Sequence, residues 1–461
     1  MLKLVFKKKL LFIALILSIT LSSYVYLKHD KEKFSNSNIQ YNNFIKGDSA
    51  YYFLKARYFQ KNLEQGNILA FSGDYEASFL YPVLIGGFYK FFNQNVFNTD
   101  EIQKINPPNP TVVKLFFLIL QFLIYLCSVV FLVSRIDFFD EKLKKILMLF
   151  LIFEPTIFQY HSLFMTESLF LSFLNFFIAI IIKPPSLLFQ NFLVGIFLGI
   201  AYLLKTTVFY ILIPILFYLI IHFKKKFIKK FLSIFVGYLF VLTFLGYSNF
   251  TRSGLFYFIP TQANDAIYWY LADPIISKSK NITAEEAYKI KKDNERQWIK
   301  NKDLNLTKEK DRVQLSIYKK DYTLNLIKNN MVVTLKHVVW KTFQFFIIDF
   351  QHLANYLKIN YVDKNYWKTD NFKLRLYVNI VYSIIIYSFV VIGFFKSFKK
   401  IDLKINFLFL ILISYFTLLL SWSGGPRYNL PILLIFSFYF VLGAEYFIYK
   451  FLGKKFFDKF F

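Results

Sequence analysis

The sequence predicts an all-α polytopic membrane protein, a bundle of about ten transmembrane helices with further helices on its outer face. Of the 461 residues, 56% are hydrophobic and only 18% are charged, which leaves too little polar surface for a soluble protein of this length. The apolar residues also form long runs, several of which reach the roughly 20 residues needed to cross a bilayer core. The net charge of +27 comes with no nucleic-acid-binding motif, so we expect a lipid bilayer and no nucleic acid as partner.

The apolar runs divide into predicted spans, and the first of them is interpreted as a retained N-terminal anchor. The predicted spans are 10–27, 112–134, 146–163, 168–182, 187–204, 207–223, 228–247, 376–395, 405–421 and 429–449. Lysine-rich segments such as 222–230 and 396–404 then fall on one side of the membrane, which the positive-inside rule makes cytoplasmic. Both termini are therefore predicted to be cytoplasmic, and the plasma (inner) membrane is the expected location.

Two further apolar stretches, 79–92 and 331–350, are predicted to lie along the outer surface. The first is too short to cross and the second is interrupted by charged residues, as is typical of interfacial helices. Residues 260–330 are polar, and their spacing predicts short surface helices. The chain then divides into a tail and first span (1–27), a first outer loop (28–111), spans two to seven (112–247), a long outer loop or cap (248–375), and the last three spans with a cytoplasmic tail (376–461).

The first outer loop contains the stretch "NFIKGDSAYYFLKARYF" at 43–59, in which Asp48 heads an aromatic-rich helix. Aspartate is a favoured N-cap residue, so capping alone explains it, although a capping aspartate can also serve as a catalytic base. Tyr52 follows one turn later, on a stripe of apolar residues at helical spacing. Asp74 and Glu76 come further along the loop, where solvated acids are the simplest interpretation.

A second polar cluster lies in "FEPTIFQYHSLFMTESLFLSF" at 153–173. Glu154 stands inside an apolar run, which is costly in lipid unless the carboxylate faces a cavity or a partner. His161 and Glu167 follow at the outer end. An acid in the first turn of a helix is favourable on its own, and a lone histidine there is more often hydrogen-bonded than bound to a metal. The sequence has no strong metal-binding motif.

Two basic positions complete the set of candidates on the outer face. Lys205 lies between two predicted spans, where it either extends to the membrane interface or meets a ligand. Arg427 and Tyr428 follow a glycine–proline turn in "SWSGGPRYNLPILLIF" at 421–436. A guanidinium binds two phosphate oxygens at once, and the phosphates of lipid headgroups are the simpler partner for it.

Taken in order, these segments resemble the GT-C superfamily of integral-membrane glycosyltransferases. The likeness is greatest to the branch with the protein mannosyltransferase, the aminoarabinose transferase and the RgtA/B/C/D-like enzymes. It spans most of the chain except most of 260–330, and it rests on "GDSAYYFLKARYF", "YPVLIGGFY", "EPTIFQYHSLFMTE", "GIFLGIAYLLKTT" and "GGPRYNLPILLIF". The resemblance implies a sugar donor carried on a polyprenyl phosphate. It also implies a lipid, glycan or protein acceptor, transfer on the non-cytoplasmic face, and a first-loop acid as catalytic base.

The resemblance places that base at Asp48. We expect substrate-binding roles for Tyr52, Lys55, Glu167, Lys205, Arg427 and Tyr428, and accessory roles for Asp74, Glu76 and His161. Glu167 corresponds to the acid that the family has at the end of its third span, and Arg427 to a basic residue near the lipid phosphate. Many relatives have two adjacent acids in the first loop, whereas Ser49 follows Asp48 here. A divalent metal therefore stays open.

The chemistry fits these residue types independently. A carboxylate within hydrogen-bond reach removes the proton of an acceptor hydroxyl while that hydroxyl attacks the anomeric carbon. The departing polyprenyl phosphate gains negative charge, which Arg427 and Lys205 are suited to stabilise. One base and one displacement predict inversion at the anomeric carbon.

Two alternatives remain from the sequence alone. An O-antigen ligase or polymerase would depend on outer-loop arginines such as Arg252 or Arg296 rather than on a first-loop acid. A transporter would place acids and unwound helices near the bilayer midplane, and Glu154 is the residue that keeps this alternative open.

Overall fold

The computed structural model describes residues 48–66, 80–96, 111–161, 163–223, 227–258, 261–348, 370–423, 426–451 and 453, with positions 13, 16, 17 and 20 near the N-terminus. In these ranges every element of secondary structure is helical. The α-helices are α1 (Asp48–Glu64), α2 (Leu80–Phe91), α3 (Thr111–Arg135), α4 (Glu141–Phe153), α5 (Pro155–His161), α6 (Glu167–Ile182), α7 (Leu188–Leu204), α8 (Leu212–Phe223), α9 (Phe227–Ser253), α10 (Thr261–Ile267), α11 (Asp273–Lys280), α12 (Ala284–Asn301), α13 (Glu309–Asn329), α14 (Met331–Phe345), α15 (Asp370–Lys400), α16 (Leu403–Leu420) and α17 (Leu430–Phe451).

Several helices are long and apolar enough to cross a membrane, which indicates a multi-pass membrane protein. The six candidate spans in the described part are Val112–Arg135, Thr206–Phe223, Phe227–Thr251, Leu376–Lys400, Leu403–Ser423 and Leu430–Phe451. Each coincides with a span predicted from the sequence. Helices α6 and α7 also match predicted spans, but they are shorter, with 16 and 17 residues. The predicted first span, 10–27, lies outside the described residues apart from those four positions.

The predicted span 146–163 is two helices, α4 and α5, separated at Glu154. Pro155 has no N–H to continue a helix but suits the first position of a new one, so α5 begins there. The Glu154 carboxylate is buried and accepts hydrogen bonds from the Ile157 N–H at 2.7 Å and from the Tyr382 hydroxyl at 3.1 Å. The acid in the apolar run is therefore paired within the protein.

Two helix pairs in the membrane region are packed backbone to backbone through glycines. A Cβ added at Gly195 of α7 or at Gly237 of α9 would overlap a main-chain carbonyl oxygen of the other helix. The same is true of Gly393 in α15 and Gly443 in α17. Small residues of this kind let transmembrane helices approach closely, so the sequence fixes these two contacts sterically.

Helices α1 and α2 of the first loop pack against each other beside this bundle. Tyr52 and Ala56 on α1 are buried, as the predicted apolar stripe requires. The Gln60 side-chain amide donates to the Gly86 carbonyl at 3.1 Å, and a Cβ at Gly86 would lie 2.8 Å from the Ala56 carbonyl oxygen. The polar link and the close approach fix α2 against α1.

Helices α10 to α13 form a helical layer, here called the cap. Two of its members, α12 and α13, have 18 and 21 residues, so they are longer than the short helices that the sequence predicts. Helix α12 begins with a capping box in which the Thr283 hydroxyl accepts from the Glu286 N–H and the Glu286 carboxylate accepts from the Thr283 N–H. Between α10 and α11 the chain makes a π-helical turn, Tyr268–Ala272.

Candidate active site

A cavity of about 920 Å³ lies between the cap and the ends of the apolar helices. This volume falls within the range of roughly 300–1,000 Å³ that is typical of small-molecule sites. Its walls come from α1, from the start of α6, from the segment between α7 and α8, from the cap, and from the segment before α17. Helices that are distant in sequence therefore converge on one space.

Four of the residues that the sequence singled out line this cavity. They are Tyr52, Glu167, Lys205 and Tyr428. Each comes from a different part of the chain, and the sequence by itself gives no distance between them. Their role in binding a substrate remains a prediction, but the structure brings them together.

Glu167 and Lys205 form an ion pair at the wall of the cavity, with 3.1 Å between the Lys205 Nζ and the Glu167 Oε1. Their side chains are only 5% and 11% exposed. The Lys205 ammonium also lies 5.2 Å from the centroid of the Phe170 ring and 5.9 Å from that of Tyr428, which adds cation–π attraction. Lys205 thus faces a buried acid and two aromatic rings.

The backbone around Lys205 explains this direction. Helix α7 ends at Leu204, and Lys205 is extended, with φ −149° and ψ 116°. A 3₁₀ turn, Thr206–Val208, follows directly. The single extended residue between two helical segments lets the Lys205 side chain turn towards Glu167, at the first turn of α6.

The predicted catalytic base, Asp48, and the predicted phosphate ligand, Arg427, are close in sequence to two residues that line the cavity. Helix α1 begins at Asp48, one turn before Tyr52, and Arg427 immediately precedes Tyr428 in a 3₁₀ turn, Pro426–Asn429. The side chains of Asp48 and Arg427 lie outside the described part of the structure. Asp74 and Glu76 also lie outside the described residues, so the predicted roles of all four remain predictions.

The segment that carries Arg427 is held in place by its neighbours. The Asn429 side-chain amide donates to the Phe345 carbonyl at 3.1 Å, and the Tyr428 hydroxyl lies 3.4 Å from that of Tyr270 in the cap. The turn is thus connected both to α14 and to the π-helical segment.

Lys55 is not among the residues that line the cavity, and its role in binding a substrate stays a prediction. Its side chain is buried, and its Nζ lies 5.8 Å from the centroid of the Tyr58 ring. Positions three residues apart on a helix differ by about 60° in direction. That difference is enough to direct Lys55 into the protein while Tyr52 faces the cavity.

His161 does not line the cavity, but it contacts a residue beside Glu167 in the cavity wall. Its buried Nδ1 lies 2.7 Å from the Ser168 hydroxyl, so the end of α5 is tied to the first turn of α6, beside Glu167. The Gln121 side-chain amide donates to the His161 carbonyl at 3.0 Å, and the Tyr81 hydroxyl donates to Gln121. Burial raises the pKa of Tyr81 well above its usual value, so its hydroxyl stays a donor.

No metal centre is evident in the part of the chain that the structure describes. Within those residues, no group of three or more His, Cys, Asp or Glu side chains is placed to hold an ion. Asp48, Asp74 and Glu76 are not covered by this finding, so the question of a divalent metal rests on them.

The cap contributes part of the cavity wall that the sequence did not predict. The π-helical turn places Trp269, Tyr270 and Leu271 in the cavity wall, and α13 adds a row that includes Ser316 and Lys320. Tyrosine and tryptophan offer an apolar ring face together with a polar group, which suits a ligand with both kinds of surface. The dense aromatic stretch "YWY" at 268–270 was the signal available in the sequence.

Arg296, which the ligase alternative would use, lies on the outer surface of the cap. Its side chain is 79% exposed and lies 3.6 Å from Asp293, away from the cavity. The side chain of Arg252 is not described. Arg296 therefore does not join the residues that the cavity brings together.

No protein-family model matches this sequence, and no curated protein matches it significantly. The resemblance to the GT-C superfamily therefore rests on the quoted motifs. Membership of that superfamily is a proposal, whereas the helical membrane architecture is an observation.

Proposed function

We propose that this chain is a GT-C-type membrane glycosyltransferase. It moves a sugar from a polyprenyl-phosphate donor to an acceptor hydroxyl on the non-cytoplasmic face, with inversion and with Asp48 as general base. The observation that carries the proposal is the convergence of Tyr52, Glu167, Lys205 and Tyr428 on one cavity. Two of them are neighbours of Asp48 and Arg427 in the chain, within one helical turn.

The proposal assigns proton removal and phosphate stabilisation to different residues of the site. In this proposal Asp48, at the start of α1, removes the proton of the acceptor hydroxyl. The Lys205 and Tyr428 side brings the cationic end, where the leaving phosphate would be stabilised. Glu167 holds Lys205 at 3.1 Å, so the ammonium is positioned before a donor arrives.

The proposal includes a topology of ten spans. Helices α6 and α7, although shorter than a full bilayer crossing, cross it within the bundle, and α4 and α5 together form one broken span. Helices α2 and α14 lie at the outer interface, and the cap covers the cavity from outside. Both termini are then cytoplasmic, as the lysine-rich segments favour.

The structure offers less support for a transporter. The Glu154 carboxylate is occupied by the Ile157 N–H and the Tyr382 hydroxyl, so it acts as the cap of α5. A substrate-coupling acid would instead need a changing partner. The cavity also lies beside the polar cap and not at the centre of the apolar helices.

The direct test is turnover of labelled polyprenyl-phosphate sugars by membranes that contain the protein. The wild type should consume at least one donor from a panel of hexoses and pentoses, releasing polyprenyl phosphate. Asp48→Asn should lower that rate by about a hundredfold or more, because general-base catalysis is typically worth that much.

A matched control is Asp293→Asn, which removes a half-exposed acid from the surface of the cap and should leave the rate unchanged. A wild-type rate in Asp48→Asn would show that the base lies elsewhere. Failure of the wild type to consume any donor, in folded protein, would overturn the proposed function.

A further inference from the structure

The sequence contains three Asn-x-Ser/Thr triplets without proline at the middle position, and the proposed function uses none of them. They begin at Asn249, Asn281 and Asn305. This triplet is the acceptor for enzymes that attach a glycan to the side-chain nitrogen of its asparagine. The enzyme must reach that nitrogen, so the triplet has to lie in an exposed segment. The structure separates the three triplets on this point.

The triplet at Asn249 is closed to such an enzyme. Asn249 lies in α9 and is 3% exposed, and its side-chain amide donates to the Tyr257 carbonyl at 2.7 Å. The Thr251 hydroxyl donates to the Ser248 carbonyl at 2.9 Å. Modification here would require the end of α9, part of a candidate span, to unwind.

The triplet at Asn281 is exposed, but its threonine is part of a helix cap. Asn281 ends α11 in the left-handed conformation, with φ 53°, and Thr283 is the N-cap of α12. The Thr283 hydroxyl accepts from the Glu286 N–H at 3.2 Å and donates to the Glu286 carboxylate at 2.9 Å. Binding of this triplet in the peptide site of an enzyme would therefore remove the cap of an 18-residue helix.

The triplet at Asn305 lies in the loop between α12 and α13 and differs from both. Asn305, Leu306 and Thr307 are all exposed, and none of them belongs to a helix. The side-chain carbonyl of Asn305 accepts from the Thr307 N–H at 3.0 Å and from the Thr307 hydroxyl at 2.7 Å. Within the described residues its Nδ2, the atom that a glycan would join, makes no hydrogen bond.

The loop around Asn305 is held by short-range contacts at the surface. The Asn305 N–H donates to the Asp311 carboxylate at 2.9 Å, and the Arg312 guanidinium donates to the Leu306 carbonyl at 3.3 Å. Water replaces exposed hydrogen bonds of this kind when they break, so the triplet can enter a peptide site without unfolding α12 or α13. Asp303, two residues before Asn305, is also exposed and offers a carboxylate to a cationic peptide site.

We propose that Asn305 is a glycosylation site, modified by a separate asparagine glycosyltransferase that uses a lipid-phosphate-linked glycan. The Asn305 Nδ2 forms a bond to the anomeric carbon of the glycan while the bond from that carbon to the phosphate oxygen breaks. The lipid phosphate leaves with the electron pair, and the amide nitrogen loses one proton. Asp303 contributes to recognition of the loop. The inference goes beyond the proposed function and uses only its topology, which places the cap on the non-cytoplasmic face.

The test is mass spectrometry of tryptic peptides from the full-length protein, isolated from the membranes of its own cells. Cleavage after lysine and arginine places the three triplets on separate peptides, 231–252, 281–289 and 303–308. Peptide 303–308 should carry a glycan, whereas the other two should be unmodified. An unmodified peptide 303–308, or a glycan on either of the others in its place, would overturn the proposal.

Variants of the loop test the acceptor motif directly. Thr307→Ala should abolish the glycan on peptide 303–308 because it removes the hydroxyl of the motif, and Thr307→Ser should retain it. The matched control is Thr283→Ala, at the equivalent position of the other exposed triplet, which should leave the glycan at Asn305 unchanged. Equal occupancy in Thr307→Ala and the wild type would overturn the site. Asp303→Asn should lower occupancy, and an unchanged value would reject the recognition role of Asp303.

Donor turnover distinguishes this inference from the proposed function. Asp48→Asn should keep the glycan at Asn305, because a separate enzyme attaches it, and loss of the glycan would overturn that part of the proposal. A glycan at Asn305 in a protein that turns over no donor sugar would retain the site and reject the transferase. Turnover by a wild type that carries no glycan would retain the transferase and reject the site.

Discussion

The two glycine-packed helix pairs are held by close steric packing, whereas the cap is held by charged and polar contacts. In the pairs α7–α9 and α15–α17, main chains touch through glycines such as Gly393, and shape alone fixes the contact. In the cap, charged side chains surround a buried tyrosine, Tyr268. Its hydroxyl donates to the Glu295 carboxylate at 3.2 Å, and the Lys291 ammonium lies 4.6 Å from its ring centroid.

This difference shows how each region tolerates change. A steric contact between two main chains has no flexible partner that could move aside. An ion pair can be replaced in both partners together, because its cost lies in leaving one charge unpaired. A side chain added at one of these glycines should therefore destabilise a membrane helix pair. Removal of one charged partner should destabilise the cap, and removal of the second partner should restore part of that stability.

The largest effect is expected at Gly393. Gly393→Val places side-chain atoms inside the Tyr439 carbonyl, so α15 and α17 must separate, at a cost of about 3 kcal/mol or more. Size-exclusion chromatography of a fluorescent fusion and thermal melting in detergent measure the folded fraction. Gly87→Ala is the control, since a Cβ at Gly87 meets nothing within 4 Å; equal loss in both variants would contradict the steric explanation.

The next effect tests the cap. Lys291 is buried and its Nζ lies 2.7 Å from the Asp273 carboxylate, while burial lowers its pKa despite that acid. Lys291→Met leaves Asp273 unpaired and should cost about 2–4 kcal/mol of unfolding free energy. The double variant Lys291→Met with Asp273→Asn should recover a large part of the loss.

Thermal melting of the two single variants and the double variant gives the coupling free energy. Lys289→Met, at an exposed position on the same helix, should leave the melting temperature unchanged. Additive losses, with no recovery in the double variant, would show that the pair does not act as a unit.

A smaller, pH-dependent effect is expected where the cap meets α14. Burial, followed by Lys278 and Lys341, lowers the pKa of His337 below its usual 6.5. Below pH 6.5 the unfolded chain therefore binds more protons at this residue than the folded chain, so stability falls as the pH falls. The slope is at most about 1.4 kcal/mol per pH unit.

His337→Asn should flatten this part of the pH profile. Melting temperatures at pH 5.0 and pH 7.5 measure it, and the gap between the two should shrink in the variant. An unchanged gap would show that other groups dominate the pH dependence.

The smallest effect is expected at Arg296. The side chains of its pair with Asp293 are 79% and 56% exposed, and exposed pairs contribute about 0–1 kcal/mol. Arg296→Ala should leave both the melting temperature and donor turnover unchanged. Loss of turnover in this variant would favour the ligase alternative.

The membrane architecture could be predicted from the sequence because long apolar runs are a local signal. The six candidate spans of the described residues all coincide with predicted runs. The break at Glu154 changes how one run is divided, since Pro155 starts a new helix. The number of crossings remains a proposal because α6 and α7 are short.

The site was less predictable because it depends on contacts between distant segments. The outer-face motifs pointed to Glu167 and Lys205, yet the ion pair between them could not be read from their spacing. Lys55 lies about 60° around α1 from Tyr52, and the sequence alone does not show that only Tyr52 of the two lines the cavity. Lys320 was not predicted because the sequence of α13 is that of a charged surface helix. Only the folded cap shows which of its residues line the cavity.

The π-helical turn at Tyr268–Ala272 has a consequence for how this chain can evolve. A π turn contains one residue more than the α-helical turn it replaces, so removing one residue would convert it to a regular α-helical turn, in which its side chains could not all keep their present directions. Tyr268 would then leave its charged surroundings, or Tyr270 would leave the cavity. Substitutions at this turn should therefore be tolerated better than changes of length. Functional descendants of this chain should carry no insertion or deletion within the turn.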